Sequence, residues 1–251
     1  MEGRRETDAA PRAKGDRVID HYDAYLFDLD GVLTPTVLLH RRAWQETFDA
    51  LFARLGVPPY DEAEYFASLD GRPRFAGVAA LLAARGIVLP EGGENDEGLD
   101  SVRGVGNLKN RAFGEVLARD GIVAYPGSIR LLDHLAALGK PCAVVSSSRN
   151  AEAVLRAAGL RERFPVVVDG VVAAREGLPG KPAPDTFVRA ASLLGVAPAR
   201  AVVFEDADSG VAAGRAGGFG LVVGVDRGAG GGALADAGAH IVVDDLMEVL
   251  P

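Results

Sequence analysis

The chain has 251 residues, 48% of them hydrophobic, which is enough for one large domain or for one domain that carries a smaller one. Its formal net charge of -8 argues against nucleic acid and anionic membranes as partners, because both repel an acidic surface. The single cysteine, Cys142, excludes a disulfide within the chain and is typical of a reducing compartment.

The first residues of the chain, 1–17, are polar and charged throughout, so we expect a flexible N-terminal tail. They contain no apolar core of a signal peptide, and no later stretch is long enough to span a membrane. We therefore expect a cytoplasmic protein.

A short apolar run from Tyr25 to Phe27 ends in two aspartates, Asp28 and Asp30. This pattern is typical of a β-strand whose carboxyl end enters a site. Side chains at i and i+2 of an extended segment point the same way, so the two carboxylates would converge. Two carboxylates this close repel each other unless a cation, a proton or a reaction offsets the repulsion, which makes the pair a candidate functional site. The alternative interpretation of an isolated Asp-x-Asp motif is a strand end with solvated acids.

The next part of the chain has a helical pattern. Apolar residues recur at helical spacing over residues 44–55 and 78–82, and a last helix is predicted near residues 108–119. The glycines of residues 104–106 are interpreted as a hinge before that helix. We therefore predict a helical cap domain over residues 37–120.

From residue 121 onward, short β-branched runs alternate with amphipathic windows. The runs are residues 142–145, 166–168, 201–204, 221–225 and 241–243. Near-continuous apolar runs of this kind are typical of a parallel sheet covered on both faces. The sequence therefore predicts an α/β fold, a doubly wound (Rossmann-like) parallel sheet core formed by residues 18–36 and 121–251.

Polar groups follow three of the predicted strands. They are the two aspartates, residues 146–150 (SSSRN) and the pair Glu205 and Asp206. Lys181 lies in a stiff turn between glycine and proline, just before a predicted helix. Because ligands of such sheets bind at the carboxyl ends of the strands, we expect these groups to share one edge.

These side chains suit phosphoryl transfer. The four acids can hold a hard divalent cation such as Mg²⁺, and Asp28 can attack phosphorus to form an aspartyl phosphate. Asp30 can serve as general acid and base. Ser146 can bind the transferred phosphoryl oxygens while Lys181 offsets their charge.

The order of four motifs resembles that of the haloacid dehalogenase (HAD) superfamily of phosphotransferases. The motifs are residues 28–32 (DLDGV), Ser146, residues 180–185 (GKPAPD) and residues 204–210 (FEDADSG). Within the superfamily the chain resembles the β-phosphoglucomutase branch from Asp23 to the C-terminus. The resemblance implies a helical cap inserted after the first motif and a Mg²⁺-dependent aspartyl-phosphate site.

The resemblance also assigns roles by position. Asp28 would be the nucleophile and Asp30 the acid and base, and the metal would be held by Asp28, the Asp30 carbonyl, Glu205 and Asp206. Ser146 and Lys181 would hold the transferred group, and His40 would take part from the cap. The residues that would contact the substrate are Trp44, Gly71, Arg74, Lys109, Ser148, Arg149 and Asn150. From the residues alone, an ordinary packing role is the alternative for the cap residues.

The resemblance implies a Mg²⁺-dependent mutase that interconverts β-D-glucose 1-phosphate and glucose 6-phosphate. A sugar-phosphate phosphatase with the same residues is the alternative, and a non-catalytic sugar-phosphate sensor is a more remote one. In each case the expected partner is a small phosphorylated sugar, bound by a monomer.

Overall fold

The computed structural model describes residues 19–69, 74–228 and 231–250, apart from the side chain of Phe66. The predicted tail, residues 1–17, lies outside the described residues. None of the helices within them has the length and apolar character needed to cross a bilayer.

The strands form one parallel, six-stranded sheet in the order β3-β2-β1-β4-β5-β6. They are β1 (Ala24–Phe27), β2 (Cys142–Val145), β3 (Val166–Val168), β4 (Ala201–Glu205), β5 (Leu221–Val225) and β6 (Ile241–Val243). The strand order reverses between β1 and β4, which is where an open α/β sheet binds its ligands. All the predicted strand runs are therefore confirmed, and β4 continues one residue further, to Glu205.

Nine α-helices are described. They are α1 (Thr36–Leu55), α2 (Arg74–Ala84), α3 (Val102–Asp120), α4 (Pro126–Ala137), α5 (Ala151–Ala157), α6 (Gly170–Glu176), α7 (Asp185–Leu193), α8 (Asp208–Ala216) and α9 (Gly231–Asp236). A π-helix covers Tyr65–Leu69, and 3₁₀ turns cover Arg161–Arg163, Pro198–Arg200 and Leu246–Val249. Parallel strands joined by helices confirm the doubly wound fold.

The chain forms two compact units. We call residues 19–28, 126–147 and 164–250 the sheet unit, and residues 29–69, 74–125 and 148–163 the helical unit, each over its described residues. The helical unit thus includes α5 and residues 148–150 of the loop after β2, which the sequence had assigned to the core. The predicted domain bounds at 36 and 120 remain predictions.

Each unit has its own core. In the sheet unit, one buried cluster includes Leu26, Val203 and Phe187 from β1, β4 and α7. On the β1–β4 pair, the rings of Phe27 and Phe204 stack at 4.7 Å in directly paired positions. The helical unit packs aromatic residues of α1 on α2 and α3, and among residues 37–69 and 74–120 it contains no strand.

The predicted hinge at residues 104–106 is wrong, because these residues lie inside α3. The helix begins earlier than predicted since Ser101 caps it, its hydroxyl accepting a hydrogen bond from the Gly104 N–H at 3.0 Å. The early glycines had hidden this first turn from the periodicity.

Candidate active site

Asp28 directly follows β1 in the sheet unit. Its backbone N–H donates to the Phe204 carbonyl at 2.9 Å, which extends the β1–β4 pairing past the strand end. The residue is only 7% exposed. The strand ends at Phe27, so Asp28 and Asp30 both follow β1 and do not lie within it.

Lys181 joins Asp28 to a second carboxylate. Its Nζ lies 2.5 Å from Asp28 Oδ1 and 2.5 Å from Glu205 Oε1, and it donates to the Val145 carbonyl at 3.2 Å. Burial alone would lower the pKa of Lys181, but the charges of the two acids raise it above the usual value. The lysine is therefore a permanent cation beside the proposed nucleophile.

Glu205 is fixed by the turn after β4. It is 1% exposed, and its Oε2 accepts a hydrogen bond from the Ala207 N–H at 2.8 Å. A Cβ at Gly210 would lie 1.7 Å from Glu205 Oε1, so only glycine leaves room for this carboxylate. Both oxygens of Glu205 are thus occupied by donors of the chain.

Ser146 and Asp206 also follow strands of the sheet unit. Ser146 comes after β2, is 2% exposed and donates its backbone N–H to the Val168 carbonyl at 3.1 Å. Asp206 comes after β4 and is half-buried. Since β2, β1 and β4 are neighbours, the carboxyl edge gathers Asp28, Ser146 and Asp206, as the strand order requires.

The fit of a metal ion can be tested on this cluster. Two buried carboxylates face one ammonium group, which leaves an excess of hard oxygen donors and of negative charge. Across the described residues, however, no group of three or more His, Cys, Asp and Glu side chains is arranged to hold a metal. The donor chemistry therefore fits Mg²⁺, while the geometry is that of an ion pair with lysine.

Asp30 is the second residue of the helical unit, and it has a partner that the sequence analysis missed. The hydroxyl of Thr36, the first residue of α1, donates to Asp30 Oδ1. Thr36 is fully buried. The carboxylate predicted to carry protons is thus oriented by a rigid hydroxyl.

His40 and Lys109 form a buried pair within the helical unit. Lys109 Nζ donates to His40 Nδ1 at 2.6 Å and lies 5.0 Å from the centre of the Trp44 ring. The His40 ring stacks on Phe113 at 4.3 Å. The predicted cap residues His40, Trp44 and Lys109 are therefore brought together, and the sequence analysis missed Phe113.

Titration of this pair is strongly shifted. Burial and then the Lys109 charge hold the pKa of His40 well below its usual value. Burial and then the charge of Arg74 lower the pKa of Lys109 to about 7, against the opposite effect of Asp30. His40 therefore stays neutral and accepts a hydrogen bond from the amine.

Arg74 is a cation of the helical unit with an open donor. Its Nε is buried and has no hydrogen-bond partner among the described residues, and its Nη2 lies 3.5 Å from Asn107 Oδ1. Burial and then the charge of Arg149 lower the pKa of Arg74. We call Arg74, Lys109 and Arg149 the cationic cluster, because Arg74 lies within electrostatic reach of each of the other two.

Residues 148–150 of the loop after β2 belong to the helical unit. Ser148 Oγ accepts a hydrogen bond from the Asn150 N–H at 3.1 Å, and Arg149 is exposed. Asn150 Nδ2 donates to Asn110 Oδ1 at 3.0 Å, a contact with α3 that spacing alone could not reveal. Gly71, the remaining predicted substrate residue, lies outside the described residues.

The fold and the cluster of Asp28, Lys181 and Glu205 define a parallel-sheet protein with an acid-rich site at its topological switch point. The profile of the haloacid dehalogenase-like hydrolase family matches residues 22–218. The chain belongs to this family, as the motifs had predicted.

Relatives with described functions agree with this family. A β-phosphoglucomutase of Mycobacterium tuberculosis is 48% identical over 238 residues, which cover 90% of this chain and 91% of the relative. A fructose-1-phosphate phosphatase of Escherichia coli is 33% identical, over 81% of this chain and 96% of the relative. The predicted branch and the prediction of an enzyme of the phosphomutase and phosphatase class are thus confirmed.

Among solved structures, CbbY from Rhodobacter sphaeroides in complex with phosphate superimposes with a TM-score of 0.70 at 29% identity. The alignment covers 91% of this chain and 96% of that chain. The likeness extends over both units of the fold.

Proposed function

We propose that the chain is a phosphomutase that interconverts β-D-glucose 1-phosphate and glucose 6-phosphate through an aspartyl phosphate on Asp28. The observation that carries this proposal is the position of Lys181, 2.5 Å from both Asp28 and Glu205. A permanent cation in a buried site holds the Asp28 carboxylate in place and also attracts a phosphoryl group.

In one half of the reaction, an Asp28 oxygen attacks a phosphorus of the sugar bisphosphate, and the bond from that phosphorus to the sugar oxygen breaks. Asp30, oriented by Thr36, gives its proton to the departing oxygen of the sugar monophosphate. In the other half, Asp30 takes a proton from a hydroxyl of the sugar monophosphate, and this oxygen attacks the aspartyl phosphate, which forms the bisphosphate and frees Asp28. Ser146 would bind the transferred oxygens.

Mg²⁺ would be held by the carboxylates of Asp28 and Asp206 and the carbonyl of Asp30. When bound, this ion would neutralise part of the charge on the phosphoryl group. Glu205 would then act by holding Lys181, because both of its oxygens already accept hydrogen bonds from Lys181 and the Ala207 N–H.

The cationic cluster supports a mutase. Such an enzyme passes through a bisphosphate and needs cations for a second phosphate, which Arg74, Lys109 and Arg149 supply in the helical unit. The open Nε donor of Arg74 suits an anion, since a buried donor without a partner is costly. Asn150 and Ser148 would add hydrogen bonds to the sugar phosphate.

The second candidate is a sugar-phosphate phosphatase, in which water accepts the phosphoryl group from Asp28. The similarity to the Escherichia coli phosphatase favours it. A cytoplasmic location and a monomeric state remain predictions from the sequence.

The deciding experiment supplies β-glucose 1-phosphate, Mg²⁺ and a trace of glucose 1,6-bisphosphate and follows the product. Glucose 6-phosphate supports the mutase, and inorganic phosphate in its place supports the phosphatase. Asp28→Asn should abolish turnover in either case, because the nucleophile is lost.

The control is Asp23→Asn, the same change at the other end of β1. Asp23 forms an exposed ion pair with Arg200 and should be dispensable for activity. Appreciable turnover by the Asp28→Asn variant would refute the assignment of Asp28 as the nucleophile.

A further inference from the structure

Gly106 is a buried residue of α3 at a point of very close approach. A Cβ built there would lie 2.6 Å from Cδ1 and 2.8 Å from Cε1 of Phe75, and 3.4 Å from Cγ of Arg74. Carbon atoms that are not bonded to each other do not approach to 2.6 Å. The first residues of α2 therefore rest directly on the backbone of α3.

This approach locates Arg74. The ring of Phe75 contacts two guanidinium groups, with Arg74 Cζ at 4.8 Å and Arg103 Cζ at 5.2 Å from its centre. Arg74 also reaches Asn107, the neighbour of Gly106 on α3. These contacts lie where Phe75 packs on the bare backbone of Gly106.

The same face of α3 carries Lys109. Residues three apart on a helix are neighbours on its surface, so a group seated on Gly106 lies beside Lys109. The shifted pKa of Lys109 agrees, because part of the shift comes from the charge of Arg74. Holding two cations together is unfavourable unless an anion is to be bound between them.

We propose that Gly106 is a positioning residue for specificity: its missing side chain seats Arg74 beside Lys109 and so sets the spacing of the cationic cluster for the second phosphate. This inference rests on the proposed function, since it requires that the cluster bind the substrate. It gives a reason for a glycine inside a helix, where glycine is less favourable than alanine.

The test is Gly106→Ala, with Gly114→Ala as the matched control on the same helix. A Cβ at Gly114 would meet nothing within 4 Å, so the control adds the same methyl group in open space. Displacing Arg74 removes a charge-assisted contact, and Gly106→Ala should raise the KM for the sugar phosphate by about tenfold. The kcat should change much less, and Gly114→Ala should leave both constants as they are.

A double-mutant cycle with Arg74→Ala shows whether Gly106 acts through Arg74. If it does, Gly106→Ala should have no further effect on KM once Arg74 is removed. An equal increase of KM in both backgrounds, or no increase in either, would overturn the inference.

If Gly106→Ala melts below the assay temperature, Phe75→Leu combined with it gives the methyl group room. This pair should restore the melting temperature and have the same KM as Phe75→Leu alone, which already lacks the ring beside Arg74. A KM of the pair well above that of Phe75→Leu alone would refute the positioning role.

Failure of this inference can be distinguished from failure of the proposed function. If the wild-type enzyme releases inorganic phosphate, the mutase fails, but the cycle is then measured on the same sugar phosphate as a phosphatase substrate. A KM that depends on Arg74 and, through it, on Gly106 still supports the inference.

Discussion

Replacing Lys181 with methionine removes the charge between Asp28 and Glu205 but keeps most of the volume of the side chain. The lysine side chain is 7% exposed, and those of Asp28 and Glu205 are 9% and 1% exposed. Water therefore cannot take over the role of the ammonium group. Two buried carboxylates would face each other, and the Val145 carbonyl would lose a donor.

The expected loss follows from the burial of the pair. Removing one partner of a buried ion pair costs about 3–5 kcal/mol. A domain of this size loses about 2–4 °C of melting temperature per kcal/mol, so the variant should melt roughly 6–20 °C lower. Turnover should fall by about 10²–10³, the cost of removing one group that stabilises the transition state.

The loss should persist over a wide pH range. The pKa of Lys181 is raised in the folded chain, so in the wild type its contribution is complete below the unfolded lysine value of about 10.4 and is lost only as the pH rises through the higher folded value. Wild type should therefore be more stable than Lys181→Met at both pH 5 and pH 7.

Lys140→Met is the matched control for a thermal melt at both pH values. Lys140 precedes β2 and donates to the Tyr22 carbonyl at 2.7 Å, a neutral partner at the amino edge of the sheet. This variant should lose about 1 kcal/mol. If the two variants had the same melting temperature at pH 7, the reasoning about the buried ion pair would be refuted.

Two further predictions concern the helical unit. Because the pKa of Lys109 is about 7 when folded, below the unfolded value of about 10.4, stability should rise with pH across that window. Urea denaturation at pH 6.5 and 9 should show this rise in the wild type and not in Lys109→Met. An equal change of the unfolding free energy with pH in both proteins would contradict the lowered pKa of Lys109. Arg85→Ala should cost about 2 kcal/mol, because Arg85 donates to Glu64 at 2.6 Å and its Cζ lies 3.9 Å from the centre of the Phe52 ring. Arg54→Ala, which breaks an exposed ion pair, should change the urea midpoint little. If both variants lowered the urea midpoint equally, the stabilising role of Arg85 would be refuted.

The sheet could be predicted because its strands are continuous apolar runs, which an amphipathic helix would not show. The residues after them were predictable for the same reason, since parallel strands end at one edge. The sequence could not show which groups these side chains contact. The geometry of the turns decides that Glu205 accepts from the Ala207 N–H, that Gly210 leaves room for it, and that Lys181 lies between two acids.

The helical unit was harder to predict because its decisive contacts join residues far apart in sequence. The sequence had assigned no role to Thr36, yet its hydroxyl orients Asp30. Gly106 had been interpreted as part of a hinge, yet it is a packing surface within α3. In both cases tertiary contacts, and not local composition, decided the role of the residue.

The two units also resolve an apparent conflict between a net charge of -8 and a phosphorylated substrate. Long-range attraction is weak for such a protein, so affinity must come from cations that water does not screen. Lys181 in the sheet unit is such a cation, and so is Lys109 in the helical unit, which is 5% exposed. A buried cation is unfavourable when no anion is bound. It attracts a bound phosphate strongly, because the attraction between opposite charges strengthens as the surrounding dielectric falls. The same desolvation that lowers the pKa of Lys109 is therefore what makes the cationic cluster suited to a phosphate.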